Sequence, residues 1–111
     1  DGYDEISLTN DTKVITNEGE KIMTPQQLGK RMVEAKDIYG GSTIEEAAKL
    51  FSTIIQGKGS WAQNAVALAN AAMALFCTGN YKTYNDAYNV AVESLESGKA
   101  YNCLKKLIEL Q

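Results

Sequence analysis

Histidine is absent from the 111 residues. That removes the side chain most often used as a general base near neutral pH and most often bound to metals. Any chemistry here must therefore run on carboxylates, hydroxyls or backbone dipoles. Basic runs are missing too: no stretch of Lys and Arg reaches three, and the formal net charge is −3 with a pI near 4.9. Nucleic-acid modules carry a basic patch or stripe and anionic membranes attract polybasic segments, so neither partner is expected. Cysteine is limited to Cys77 and Cys103, whose spacing fits neither a zinc site nor a redox pair. Both stand in apolar helical contexts and read as buried free thiols, which implies a reducing, cytoplasmic compartment. Long apolar runs are also scarce. The longest, Trp61 to Cys77, is interrupted by Gln63, Asn64 and Asn70. It is too short and alanine-rich to span a bilayer and lies mid-chain, where no signal peptide belongs. It reads as a buried soluble helix.

What remains is the composition of an ordinary globular protein, 44% hydrophobic and 23% charged, with length for one domain or less and a modest core. The fold class expected is α+β: a short antiparallel meander over residues 1–23, then a mainly helical portion over 24–111. Ile6-Ser7-Leu8-Thr9 alternates apolar with polar, as a half-buried strand does. Asn10-Asp11 is a turn, Lys13 to Thr16 a second strand, Asn17-Glu18-Gly19 another turn, and Glu20 to Met23 a third strand.

Thr24-Pro25-Gln26-Gln27 then carries the signature of a helix start, with Thr as N-cap, Pro at the first helical position and Gln closing a capping box. That single turn ends at Gly29, and residues 30–39 are irregular or briefly helical. Thr43-Ile44-Glu45-Glu46 opens the next helix, with Ile44, Ala47, Ala48, Phe51 and Ile55 at helical spacing and Gly57 as its stop. The apolar helix over 61–78 follows, with Trp61 and Phe76 as core anchors. Thr83 to Asp86 caps a helix that buries Ala87, Val90, Ala91 and Leu95, and a last helix buries Ala100, Cys103, Leu104, Leu107 and Ile108. Asn70 is costly inside a buried helix unless its amide is hydrogen-bonded, so it should tie that helix to a neighbouring backbone. Tyr81, Tyr84, Tyr88 and Tyr101 lack interleaved basic residues and read as packing groups with hydroxyls reaching water. Lys99, Lys105 and Lys106 read as solvated charges.

The one candidate for chemistry is the start, Asp1-Gly2-Tyr3-Asp4-Glu5. Adjacent carboxylates are either a solvated acidic corner or ligands for Mg²⁺, a hard cation that prefers oxygen donors shared with substrate phosphates. Asp1 is a possible supporting partner. Gly40-Gly41 lacks the Gly-Lys-Ser/Thr of a phosphate-binding loop and reads as a turn. A start on such a motif, without methionine, predicts a piece of a longer polypeptide.

Six landmarks in order make the chain similar to a known family: Asp-Gly-x-Asp-Glu, Thr24-Pro25-Gln26-Gln27-Leu28-Gly29, Gly40-Gly41, Ile55-Gln56-Gly57, Asn70-Ala71-Ala72-Met73-Ala74-Leu75 and Ser97-Gly98-Lys99-Ala100. Their order and spacing resemble the anthranilate phosphoribosyltransferase family, over the whole chain but only the C-terminal third of a family member. Two departures, Ser42 after the paired glycines and Ala47-Ala48 in the next helix, touch packing alone. The resemblance implies part of the α/β domain of a phosphoribosyltransferase with a nucleoside-phosphorylase-like fold, in a homodimer. It implies transfer of phosphoribose from phosphoribosyl pyrophosphate to the amino nitrogen of anthranilate in tryptophan biosynthesis. It also implies Mg²⁺ held with the pyrophosphate by Asp4 and Glu5. The family's glycine-rich pyrophosphate loop, Lys-His-Gly-type loop and anthranilate-directed arginine lie upstream, so this segment alone should be inactive. It should also self-associate through the surfaces it leaves uncovered. Alternative readings are a non-catalytic nucleic-acid-binding paralogue, against which the missing basic face counts, and a pyrimidine nucleoside phosphorylase of related fold.

Overall fold

A computed structural model describes residues 1–111. Two strands, β1 (Thr12–Thr16) and β2 (Gly19–Met23), pair antiparallel, from Thr12 opposite Met23 to Thr16 opposite Gly19. Asn17 and Glu18 form the tip, and Lys13 meets Glu20 across the strands at 3.3 Å. Helices follow: α1 (Pro25–Gly29), a 3₁₀ turn (Ala35–Ile38), α2 (Ile44–Ile55), α3 (Trp61–Cys77), α4 (Tyr84–Glu96) and α5 (Lys99–Glu109).

The expected three-stranded meander is a two-stranded hairpin. Ile6-Ser7-Leu8-Thr9 is not a strand: Ile6, Ser7 and Leu8 are all buried, at 5%, 2% and 0% exposure. A strand with one wet face alternates sides, so three consecutive buried residues need another conformation. Leu8 supplies it by taking a positive φ of 61°, unusual for a non-glycine residue.

Most helix starts form as their residues dictate. Thr24 and Gln27 make the reciprocal capping box, and Ser60 and Gln63 make another at the head of α3. Thr43 and Thr83 cap α2 and α4 by accepting from the N–H of Glu46 and Asp86. Glu46 does not complete a box with Thr43; its carboxylate accepts from the N–H of Ser42, one residue earlier.

The central element is α3, which touches α1, the 3₁₀ turn, α2 and α4, while α5 packs on α4. The main core gathers Ile6, Leu8, Leu28 and Val33 against Ala62, Ala65 and Ala69 of α3. A second cluster joins Ala72 to Tyr88 and Ala91 of α4. The alanines are the mechanism of packing: a stripe without long side chains lets loop and helix backbones come close to α3.

Burial elsewhere departs from the amphipathic patterns. On α2 the stripe Ile44, Ala47, Ala48 and Phe51 is exposed, Ile44 at 85%, and the half-buried Leu50 and Ile54 instead border a small apolar hollow shared with α3. On α5 no residue is buried; Ala100 and Leu104 are half-covered, while Cys103, Leu107 and Ile108 are exposed. Helix α3 is buried along its alanine stripe only. Both cysteines are exposed, against the expectation of buried thiols, because nothing in the chain packs over the faces that carry them. Val90 is likewise more open than its pattern suggested, and Tyr88 fills the α4 interface.

Candidate functional site

The segment around Asp4 and Glu5 is irregular, yet its backbone is fixed at several points. The Asn70 carboxamide on α3 accepts from the Ile6 N–H at 3.0 Å and donates to the Ile6 carbonyl at 2.8 Å; its second N–H bonds the Val66 carbonyl at 2.9 Å. The half-buried amide ties its helix to a neighbouring backbone, as expected. Two residues on, the Leu8 carbonyl accepts from the Val33 N–H at 3.0 Å. The Leu8 side chain lies over Gly29, where an added Cβ would fall 2.4 Å from Leu8 Cδ1, so only glycine admits this approach. The Asp1 carboxylate accepts from the Ser7 and Thr9 hydroxyls, closing the loop on itself. Asp1 therefore serves the loop's shape.

Tyr84, at the head of α4, reaches into the same region. Its hydroxyl donates to the Leu28 carbonyl at 2.7 Å, with the Ala69 carbonyl 3.1 Å away. Burial, and secondarily the nearby Tyr88, pushes its ionisation well above the usual tyrosine range; burial also raises Tyr88. The expectation of a hydroxyl in water fails at Tyr84, because two carbonyls occupy that place. Trp61 is not a core anchor either: it is 43% exposed, and the Arg31 guanidinium stacks on its ring at 3.7 Å. Phe76 is at the margin of exposure and meets Tyr84 edge-on.

Asp4 and Glu5 are exposed and line an open groove of about 1320 Å³ between the hairpin and the α3–α4 end. Asn70 and Tyr84 form part of its wall, and Lys13 and Lys21 approach from the hairpin. The ion pairs of the molecule are Lys13–Glu20, Lys36–Glu34 and Lys99–Glu93, so neither carboxylate is engaged in one. No third acidic side chain or cysteine joins them in a metal-sized cluster. Two free carboxylates on an anchored backbone fit a Mg²⁺ whose other positions are taken by water and phosphate oxygens, the usual arrangement for this ion. They do not amount to an all-protein cage. Lys21 and Tyr84 on the groove wall had no signal in the sequence, since their approach depends on how the hairpin and α4 are set against α3.

The chain as a whole is similar to known proteins. Over 110 residues, 99% of this chain, it is 48% identical to the anthranilate phosphoribosyltransferase of Flavobacterium psychrophilum. The proteins of the same name from Flavobacterium johnsoniae and Phocaeicola vulgatus are 49% and 46% identical over the same share. The chain spans about a third (33%) of the length of these curated relatives. No helix is long and apolar enough to cross a membrane. Residues 1–101, which hold the acidic pair, the Asn70 clamp and Tyr84, match the family described as "Glycosyl transferase family, a/b domain", and the chain belongs to that family.

Proposed function

We propose that this chain is the C-terminal segment of the α/β catalytic domain of an anthranilate phosphoribosyltransferase with a nucleoside-phosphorylase-like fold, and that it supplies the Mg²⁺ side of the active site. The observation that carries the reading is the near-50% identity to proteins of that name, running through a segment in which Asp4 and Glu5 stand unpaired at a groove. In the reaction the bond from ribose C1 to pyrophosphate breaks, a bond from C1 to the anthranilate nitrogen forms, and the amine loses a proton to solvent. Asp4 and Glu5 would hold a Mg²⁺, which when bound would supply positive charge to offset that gathering on the departing pyrophosphate. The chain's own part is to hold the two carboxylates outward, on a backbone tied to α3, α1 and the segment after it. Phosphoribosyl pyrophosphate and anthranilate are the substrates, the assembly is a homodimer, and the compartment is cytoplasmic.

The test uses the full-length enzyme and follows the loss of anthranilate fluorescence. Asp4→Asn combined with Glu5→Gln is expected to lower kcat/KM by about 100-fold or more, the scale of losing a charge-stabilising group, and to flatten the Mg²⁺ dependence. Full activity with unchanged Mg²⁺ dependence would sink the assignment. The 111-residue chain alone is expected to show no turnover. It is also expected to self-associate through the apolar faces of α2 and α5, so a concentration-independent monomer in light scattering would count against that surface.

A further inference from the structure

We infer that Asn70 is a positioning residue for the metal corner, acting through the backbone of Ile6; this rests on the Mg²⁺ role proposed for Asp4 and Glu5. The Ile6 N–H belongs to the Glu5–Ile6 peptide plane and the Ile6 carbonyl to the next plane. One carboxamide binds both, at 3.0 and 2.8 Å, and so fixes φ and ψ at the residue that follows the acidic pair. The amide cannot swing aside, because its second N–H is held by the Val66 carbonyl one turn back on α3. Every strong hydrogen-bonding group of Asn70 is thus committed, and its O/N orientation follows from what Ile6 presents.

No other side chain grips this point. Ile6 is buried, while Asp4 and Glu5 are exposed and have no salt-bridge partner. The backbone just after the pair is therefore held by the central helix, while the Asp1 carboxylate, accepting from the Tyr3 N–H and from the Ser7 and Thr9 hydroxyls, closes the loop on the other side. Partners bonded directly to metal ligands are worth about 10- to 100-fold in affinity; Asn70 acts one bond further out, through the Ile6 backbone, so the lower end of that range applies.

Mn²⁺ with pyrophosphate serves as the probe, on the full-length enzyme, with free Mn²⁺ read by electron paramagnetic resonance. Asn70→Ala is expected to weaken Mn²⁺ binding by about 10-fold and to broaden the bound-metal spectrum. Asn70→Asp keeps an acceptor for the Ile6 N–H but sets a carboxylate oxygen against the Ile6 and Val66 carbonyls, so it should weaken binding about as much as Asn70→Ala. Leu95→Ala, in the α4 interface away from the groove, controls for stability and should leave Mn²⁺ affinity unchanged. If Asn70→Asp and Asn70→Ala, folded by circular dichroism, bind Mn²⁺ as wild type does, the positioning role is wrong. A loss equal to that of Leu95→Ala would also overturn it, by showing a purely structural effect. If Asp4→Asn with Glu5→Gln leaves Mn²⁺ affinity intact, it is the metal assignment itself that fails.

Discussion

The loop over residues 4–9 and the helix α5 have opposite relations to their sequences. The loop lacks regular structure, yet Ile6, Ser7 and Leu8 are buried and their backbone is bonded to α3 and to Val33. Helix α5 is regular over Lys99–Glu109 and amphipathic, yet its apolar residues Leu107 and Ile108 lie open at 56% and 61% exposure. Regularity is a local matter of propensity and capping. Burial depends on what the rest of the chain brings alongside. The loop is finished within these residues, whereas α2 and α5 present faces that nothing in them covers.

Substitutions can break or sharpen that contrast. The largest effect is expected from Leu8→Ala, which empties the space over Gly29 and should cost about 2–5 kcal/mol in urea unfolding. A cost under 1 kcal/mol would mean that the loop is not part of the core. Tyr84→Phe removes the hydroxyl from the Leu28 and Ala69 carbonyls and should cost about 1 kcal/mol.

Tyr84 also makes a pH prediction. Its folded-state ionisation lies above the ordinary value of 10.0, and that of Tyr88 is raised as well. The folded chain therefore holds these protons where the unfolded chain releases them. Their contribution to stability is complete below about pH 10 and is lost as pH rises toward the folded-state values. Absorbance at 295 nm should show two of the six tyrosines ionising last, with one late phase gone in Tyr84→Phe. Arg31→Ala breaks the stack on the single tryptophan and should cost about 0.5–1 kcal/mol, with a shift in the emission of Trp61. Smallest of all, Leu107→Ala on the open face of α5 should change stability by less than about 0.5 kcal/mol. A loss comparable to that of Leu8→Ala would erase the contrast.

Much of the helical order was legible because its signals are local. Thr24 with Gln27, Thr83 with Asp86, and the glycines at 57, 79 and 98 mark ends that depend on neighbours a few residues away. Asn70 was legible by a cost argument, since an amide on a packed helix needs partners, although its partner could not be named. Ile6 to Thr9 misled because apolar–polar alternation describes both a strand and a loop whose Ser7 is buried by bonding Asp1. The outward stripe of α2 misled in another way. Periodicity locates an apolar face but not what meets it, and here Leu50 and Ile54 took the inner side. Asp4 and Glu5 were legible through resemblance alone, since two exposed acids have no pattern of their own.

The bonds that hold the acidic corner join residues far apart in the chain: Ile6 to Asn70 across 64 positions and Tyr84 to Leu28 across 56. Closures of this length carry their entropy cost before any contact repays it, so they complete late, after α3 exists to receive them. In an incompletely folded chain Asp4 and Glu5 ride on an untethered backbone, and the tether at Ile6 comes only with the finished fold.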